Sequence, residues 1–136
     1  MAAVTITTAL LDFLGEKLKD YNIKNFYQEI RDDSKDKSLT LYTLGTIANQ
    51  QTYGEQVRNR MDYQLQVVNG NSVSETEALA HHIYHNIVQA NKKFEASGFE
   101  FYISPLLNRV PRYLGTLPSG CHKYGIDILI TYKKKG

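Results

Sequence analysis

The stretch RMDYQLQVVNG, residues 60–70, alternates strictly: Met61, Tyr63, Leu65 and Val67 fall on one side, Asp62, Gln64 and Gln66 on the other. A period of two belongs to a strand with one buried and one wet face, and the following NGN (69–71) ends it. Directly after it, SVSETEALAHHIYHNIVQANKKF (72–94) changes to a helical period, gathering Leu79, Ala80, Ile83, Tyr84, Ile87 and Val88, continued by Ala90, into one stripe. Ser74 followed three residues later by Glu77 is a capping-box signature, so the helix is expected from about Glu75 to Lys93. A half-buried strand feeding an amphipathic helix already points to a mixed fold.

Outward from this pair the same logic places the other elements. Leu10, Leu11, Leu14 and Leu18, with Ala9, recur at helical spacing over about Thr7–Lys19, with Thr7 or Thr8 as cap. NFYQEI (25–30) and SLTLYTL (38–44) flank the charged RDDSKDK (31–37) and read as a hairpin. In the second run Leu39 and Leu41 share one face and Thr40, Tyr42 and Leu44 the other, as in an interior strand. FEFYIS (99–104) and KYGIDILITYK (123–133) alternate as strands, the latter with Tyr124, Ile126, Ile128, Ile130 and Tyr132 on one face. GTIANQQTYGEQVRN (45–59) and PLLNRVPRYLGTLPSGCH (105–122), which holds all three prolines, read as long connections, and such loops are often functional. The expectation is one α+β domain over 1–136, in the order α-β-β-β-α-β-β. Two helices flank a mainly antiparallel or mixed sheet of about five strands, with long loops at about 45–59 and 105–122.

A chain of 136 residues suffices for one core. The 16 basic and 14 acidic side chains balance too closely to announce a nucleic-acid binder. The single Cys121 rules out an internal disulfide or paired-cysteine metal site. The first twenty residues lack a basic leader, and no stretch nears the roughly 18 apolar residues of a membrane span; a cytoplasmic, unprocessed chain is expected.

HHIYH (81–85) holds three of the four histidines. Helical geometry sends His81, His82 and His85 to the side opposite the apolar stripe, toward solvent or a neighbouring subunit. His81 and His85 have the spacing to share a zinc ion, but a site needs further ligands, and a metal-dependent enzyme built on them would have to recruit a residue such as His122. A glutamate is missing where the zinc-protease motif requires one. Cys121 and His122 are chain neighbours that point apart, unsuited to act as nucleophile and base. Asp32, Asp33 and Asp36, interleaved with Lys35 and Lys37, read as a solvated turn rather than a cation site. No phosphate loop, nucleophile elbow or dinucleotide fingerprint is present. No catalytic, cofactor or metal residue is assigned.

YQLQVVNGNSVSETEALAHHIYHNI (63–87), a strand with an outward amide face followed by a capped helix, resembles the tail terminator and related minor capsid proteins of long-tailed bacteriophages. So does the ending, in which FEFYISP leads through RVPRYLGTLPSG to YGIDILITYKK, and the likeness covers most of the chain. It implies a structural virion protein that forms a hexameric ring at the head-proximal end of the tail tube. Such a ring stops tail polymerisation, offers a head-tail joining interface and leaves a channel for DNA. The partners implied are further copies of the chain, the major tail tube protein, the head-tail connector protein and DNA passing without sequence-specific binding; no membrane is involved. The location implied is the virion tail, with host cytoplasm during assembly. The alternatives are a head-completion or connector minor capsid protein, or the small histidine-site enzyme.

For such a ring the residues beside the two loops are the candidate interface. Tyr53, Tyr102 and Tyr113 are candidate aromatic anchors, whereas Tyr63, Tyr84, Tyr124 and Tyr132 read as core. Arg58, Arg60, Arg109 and Arg112 can pair with carboxylates of a neighbouring subunit or face DNA phosphates. His81 and His85 complete the candidate set.

Overall fold

A computed structural model describes residues 5–21, 23, 25–30, 35–46, 59–90, 92–106 and 109–134. Helix α1 spans Ile6–Lys17, and its cap is Thr5 rather than Thr7 or Thr8. The Thr5 hydroxyl accepts from the Thr8 N–H while Thr8 Oγ1 accepts from the Thr5 N–H, a threonine version of the reciprocal cap. Thr7 turns inward, its hydroxyl 2.6 Å from that of Tyr63.

Seven strands form one mixed sheet among the described residues: β1 (Phe26–Gln28), β2 (Lys37–Thr46), β3 (Asn59–Asn69), β4 (Phe94–Ala96), β5 (Phe99–Pro105), β6 (Arg112–Thr116) and β7 (His122–Lys134). Their order is β1-β2-β3-β7-β5-β4, with β6 also on β7. The protein is thus α+β, as expected, but two strands beyond the expected five are present, and the first pair is not a hairpin. β1 runs parallel to β2, Phe26 opposite Leu39. Glu29 takes a φ of 70°, and the Ile30 N–H turns back to the Gln28 carbonyl. The chain therefore leaves the sheet directly after β1. Three residues of strand span only roughly 10 Å, and β2 starts again in the same direction at Lys37.

The expected connection at 105–122 is also corrected. β5 and β6 lie along the same edge of β7: Pro105 faces Ile128 and Arg112 faces Gly125. Between these contacts Ile126 and Asp127 of β7 have no described strand partner on that edge. A tight turn links Thr116 to its partner His122, with Gly120 at φ 93° where a side chain would be strained. β4 arises where the second helix was expected to end. It pairs with β5 through the two-residue turn Ser97–Gly98, both at positive φ, the geometry that matches strand twist. Of the other expected loop, β2 runs on to Thr46 and β3 starts at Asn59; 47–58 lie outside the described residues.

Helix α2, Val73–Ile83, continues as a π-helical turn, Tyr84–Val88. Its cap is Ser72, which accepts from the Glu75 N–H, so the Ser74/Glu77 box expected from sequence is displaced by two residues. Glu77 instead accepts a hydrogen bond from the Tyr124 hydroxyl at 3.2 Å. Both helices pack on one face of the sheet. Ala9, Leu10 and Leu14 of α1 and Leu79, Ala80 and Ile83 of α2 share a core with Leu39, Leu41, Tyr63, Leu65, Val67, Phe101, Ile126 and Ile130. The expected stripe of the second helix faces the sheet: Leu79, Ala80, Ile83, Tyr84, Ile87 and Val88 are all buried. No described helix is long and apolar enough to cross a membrane.

Candidate subunit interface

With both helices on one face, the alternation of β3 and β7 presents Gln64, Gln66 and Asp127 on the other. Gln64 and Asp127 are cross-strand partners. Gln66 Nε2 donates to Gln64 Oε1 at 2.7 Å, and Gln64 Nε2 donates to Asp127 Oδ1 at 3.3 Å. Arg112 and Arg109 reach the other carboxylate oxygen, at 2.8 and 3.2 Å. The register of β6 makes this possible, because Arg112 lies opposite Gly125, two residues from Asp127, with Arg109 just before it in sequence. Burial pushes the Asp127 carboxyl up, but the hydrogen bond and charge of Arg112, joined by Gln64 and Arg109, outweigh it and hold its pKa below the ordinary value.

The Asp127 side chain is 3% exposed, but those of Arg109 and Arg112 are 53% and 41% exposed. Two guanidinium groups against one carboxylate leave one positive charge in excess, and each fork has donors beyond those it spends on Asp127. The site therefore presents a fixed cationic surface rather than a closed ion pair. Beside it the irregular register of β6 brings Leu114 over Gly125; a β-carbon there would lie 2.7 Å from Leu114 Cδ1, so glycine leaves the room that Leu114 fills.

The other candidates are dispersed. Arg60 and Tyr102 both face Thr131 from opposite sides of β7, forming one cross-strand row. Arg60 lies four positions before Gln64 on β3, about 13 Å along the strand. Tyr113, half exposed, places its hydroxyl 2.9 Å from both Thr116 Oγ1 and His122 Nδ1. Tyr53 and Arg58 lie outside the described residues, as do Asp32 and Asp33. Tyr63, Tyr84 and Tyr124 are buried and Tyr132 partly so, each in the core role read for it. Burial raises the pKa of Tyr63 and Tyr132.

His81 and His85 stack at 5.9 Å between ring centroids, and His85 Nδ1 meets Gln89 Oε1 at 3.1 Å. His82 is not simply wet: half-buried, it packs on Tyr21 at 5.1 Å and bonds with Asn86. His122 is engaged with Tyr113 at the β6–β7 end. Cys121 is buried with Val68 and Leu117. Among the described residues no cluster of three or more His, Cys, Asp or Glu is arranged to hold a metal ion.

The residue missed in sequence was Asp127, and its signal was present: one acid in the otherwise apolar run YGIDILITY demands a partner, and RVPR precedes it by fifteen positions. The chain matches no protein-family model and no curated protein sequence.

Proposed function

We propose that this chain is a ring-forming structural protein of a long-tailed bacteriophage, a tail terminator that caps the head-proximal end of the tail tube. In this reading it stops tube growth, joins the tail to the head connector and surrounds the DNA path as a hexamer. The observation that carries it is the resemblance of Tyr63–Ile87 and of the two closing strands to that family. The two-layer build is compatible with it: helices fill one face of the sheet, while the other offers amides and half-exposed arginines, a polar rim suited to contact with other subunits. The same surfaces would serve a head-completion protein, which differs in the partner bound.

Electron microscopy and light scattering of the chain mixed with tail tube protein test the proposal. Hexameric rings seated on one end of each tube are expected, with tube length no longer increasing once they are bound. A chain that leaves tube ends bare and tube growth unchanged overturns it; rings that bind only connector protein favour the head-completion role.

A further inference from the structure

Large apolar side chains exposed singly are ordinary, but here they sit on or next to open strand edges, beside charges of opposite sign. At one end of the sheet β2 is covered by β1 only over Leu39–Leu41. Just beyond, the Glu29 N–H donates to the Leu41 carbonyl and Glu29 Oε1 accepts from the Thr43 N–H at 2.8 Å. This fixes an exposed carboxylate in place. Ile30, next to Glu29, is 80% exposed, and Leu44, next to Thr43, is 49% exposed. At the other end, three strand steps away, the outer edges of β6 and of β5 beyond Phe101 meet no described strand. Between β5 and β6 in sequence stands Val110, 59% exposed, flanked by Arg109 and by Pro111–Arg112.

We propose that copies of this chain join head to tail, Val110 and the Arg109/Arg112 pair of one copy docking on Ile30, Leu44 and Glu29 of the next. The inference rests on the ring reading above and names its contact. The two patches match in chemistry: one pairs an apolar side chain with excess guanidinium, the other pairs apolar side chains with a carboxylate held on one oxygen and able to accept on the second. A two-fold contact through either patch alone would set like charges together, whereas head-to-tail contact sets opposite charges together and leaves one patch free on each end copy until a ring closes. Both patches are already ordered, the arginines by Asp127 and the glutamate by the strand, so docking spends little entropy on fixing them.

Thiol cross-linking reads the contact even when it is weak. Ile30→Cys and Val110→Cys are exposed substitutions, and the native Cys121 is buried. At high protein concentration with a short bismaleimide, a mixture of the two variants should yield a cross-linked dimer several-fold above wild type, while neither variant alone does so. The double variant should give a ladder of higher oligomers, and adding Glu29→Gln should lower the yield several-fold. A mixture no better than wild type, either single variant linking to itself as well as the mixture does, or indifference to Glu29→Gln overturns the proposal. Tube-end binding is read independently. Capped tubes without these cross-links sink the contact alone, and cross-links without capped tubes sink the tail reading alone.

Discussion

Asp127 is an acid set among isoleucines, and its neighbours decide what it contributes. Replacing it with Asn keeps the shape and removes the charge that Arg109 and Arg112 converge on. Because both arginines are half exposed they can turn to water, so the cost stays in the range for one charged hydrogen-bond site, about 1–3 kcal/mol, and below that of a fully buried pair. The pH dependence follows from the lowered pKa. A carboxyl that binds its proton less readily when folded stabilises the fold above its unfolded value near 4, and that contribution fades as the pH falls through the folded value. Urea unfolding of wild type and Asp127→Asn should therefore differ fully above about pH 5 and converge under stronger acid. A gap independent of pH would mean that packing, not charge, is what the residue supplies.

At the scale of elements, the caps separate pattern from geometry. The sequence holds two overlapping S-x-x-E boxes, Ser72–Glu75 and Ser74–Glu77, and the helix uses the first, because Glu77 is drawn to the Tyr124 hydroxyl on β7. Ser72→Ala should cost about 1 kcal/mol of stability, whereas Ser74→Ala should stay within about 0.5, as seen in urea midpoints at constant slope; the reverse order would restore the Ser74 cap. The same contrast explains what was legible. Both helices, the alternation of β3 and β7 and the inward stripe of α2 follow from periodicity, which depends only on near neighbours. β1 pairs in parallel because of how Glu29 turns the chain, and β4 is three residues long, too short for any period to register. β6 is hidden by Pro111 before it and Gly115 within it, although Ser97–Gly98 is a usable hairpin signal for β4. Arg109 and Arg112 are candidates from sequence, but their convergence on Asp127 depends on where β6 meets β7, a register that no local pattern encodes.

Across the whole molecule, one core ties the helices to the sheet, and Phe101 sits where its parts meet. It is fully buried, edge-on to Phe13 of α1 at 5.2 Å, close to Phe94 of β4 at 6.0 Å, and opposite Tyr132 of β7. Removing its ring takes contacts from a helix, an edge strand and a central strand at once. Phe101→Ala should cost about 3–5 kcal/mol, and at the usual unfolding entropy per residue a chain of 136 residues would lose about 10–17 °C in Tm. Since α1 reaches the sheet through the same cluster, neither layer has a separate core to retain. Near-ultraviolet circular dichroism, which follows the tyrosines, and the far-ultraviolet signal, which follows the helices, should keep one shared midpoint in the variant. Two separated midpoints would show instead that the helical layer and the sheet melt as independent units, and that the aromatic cluster decorates a boundary between them.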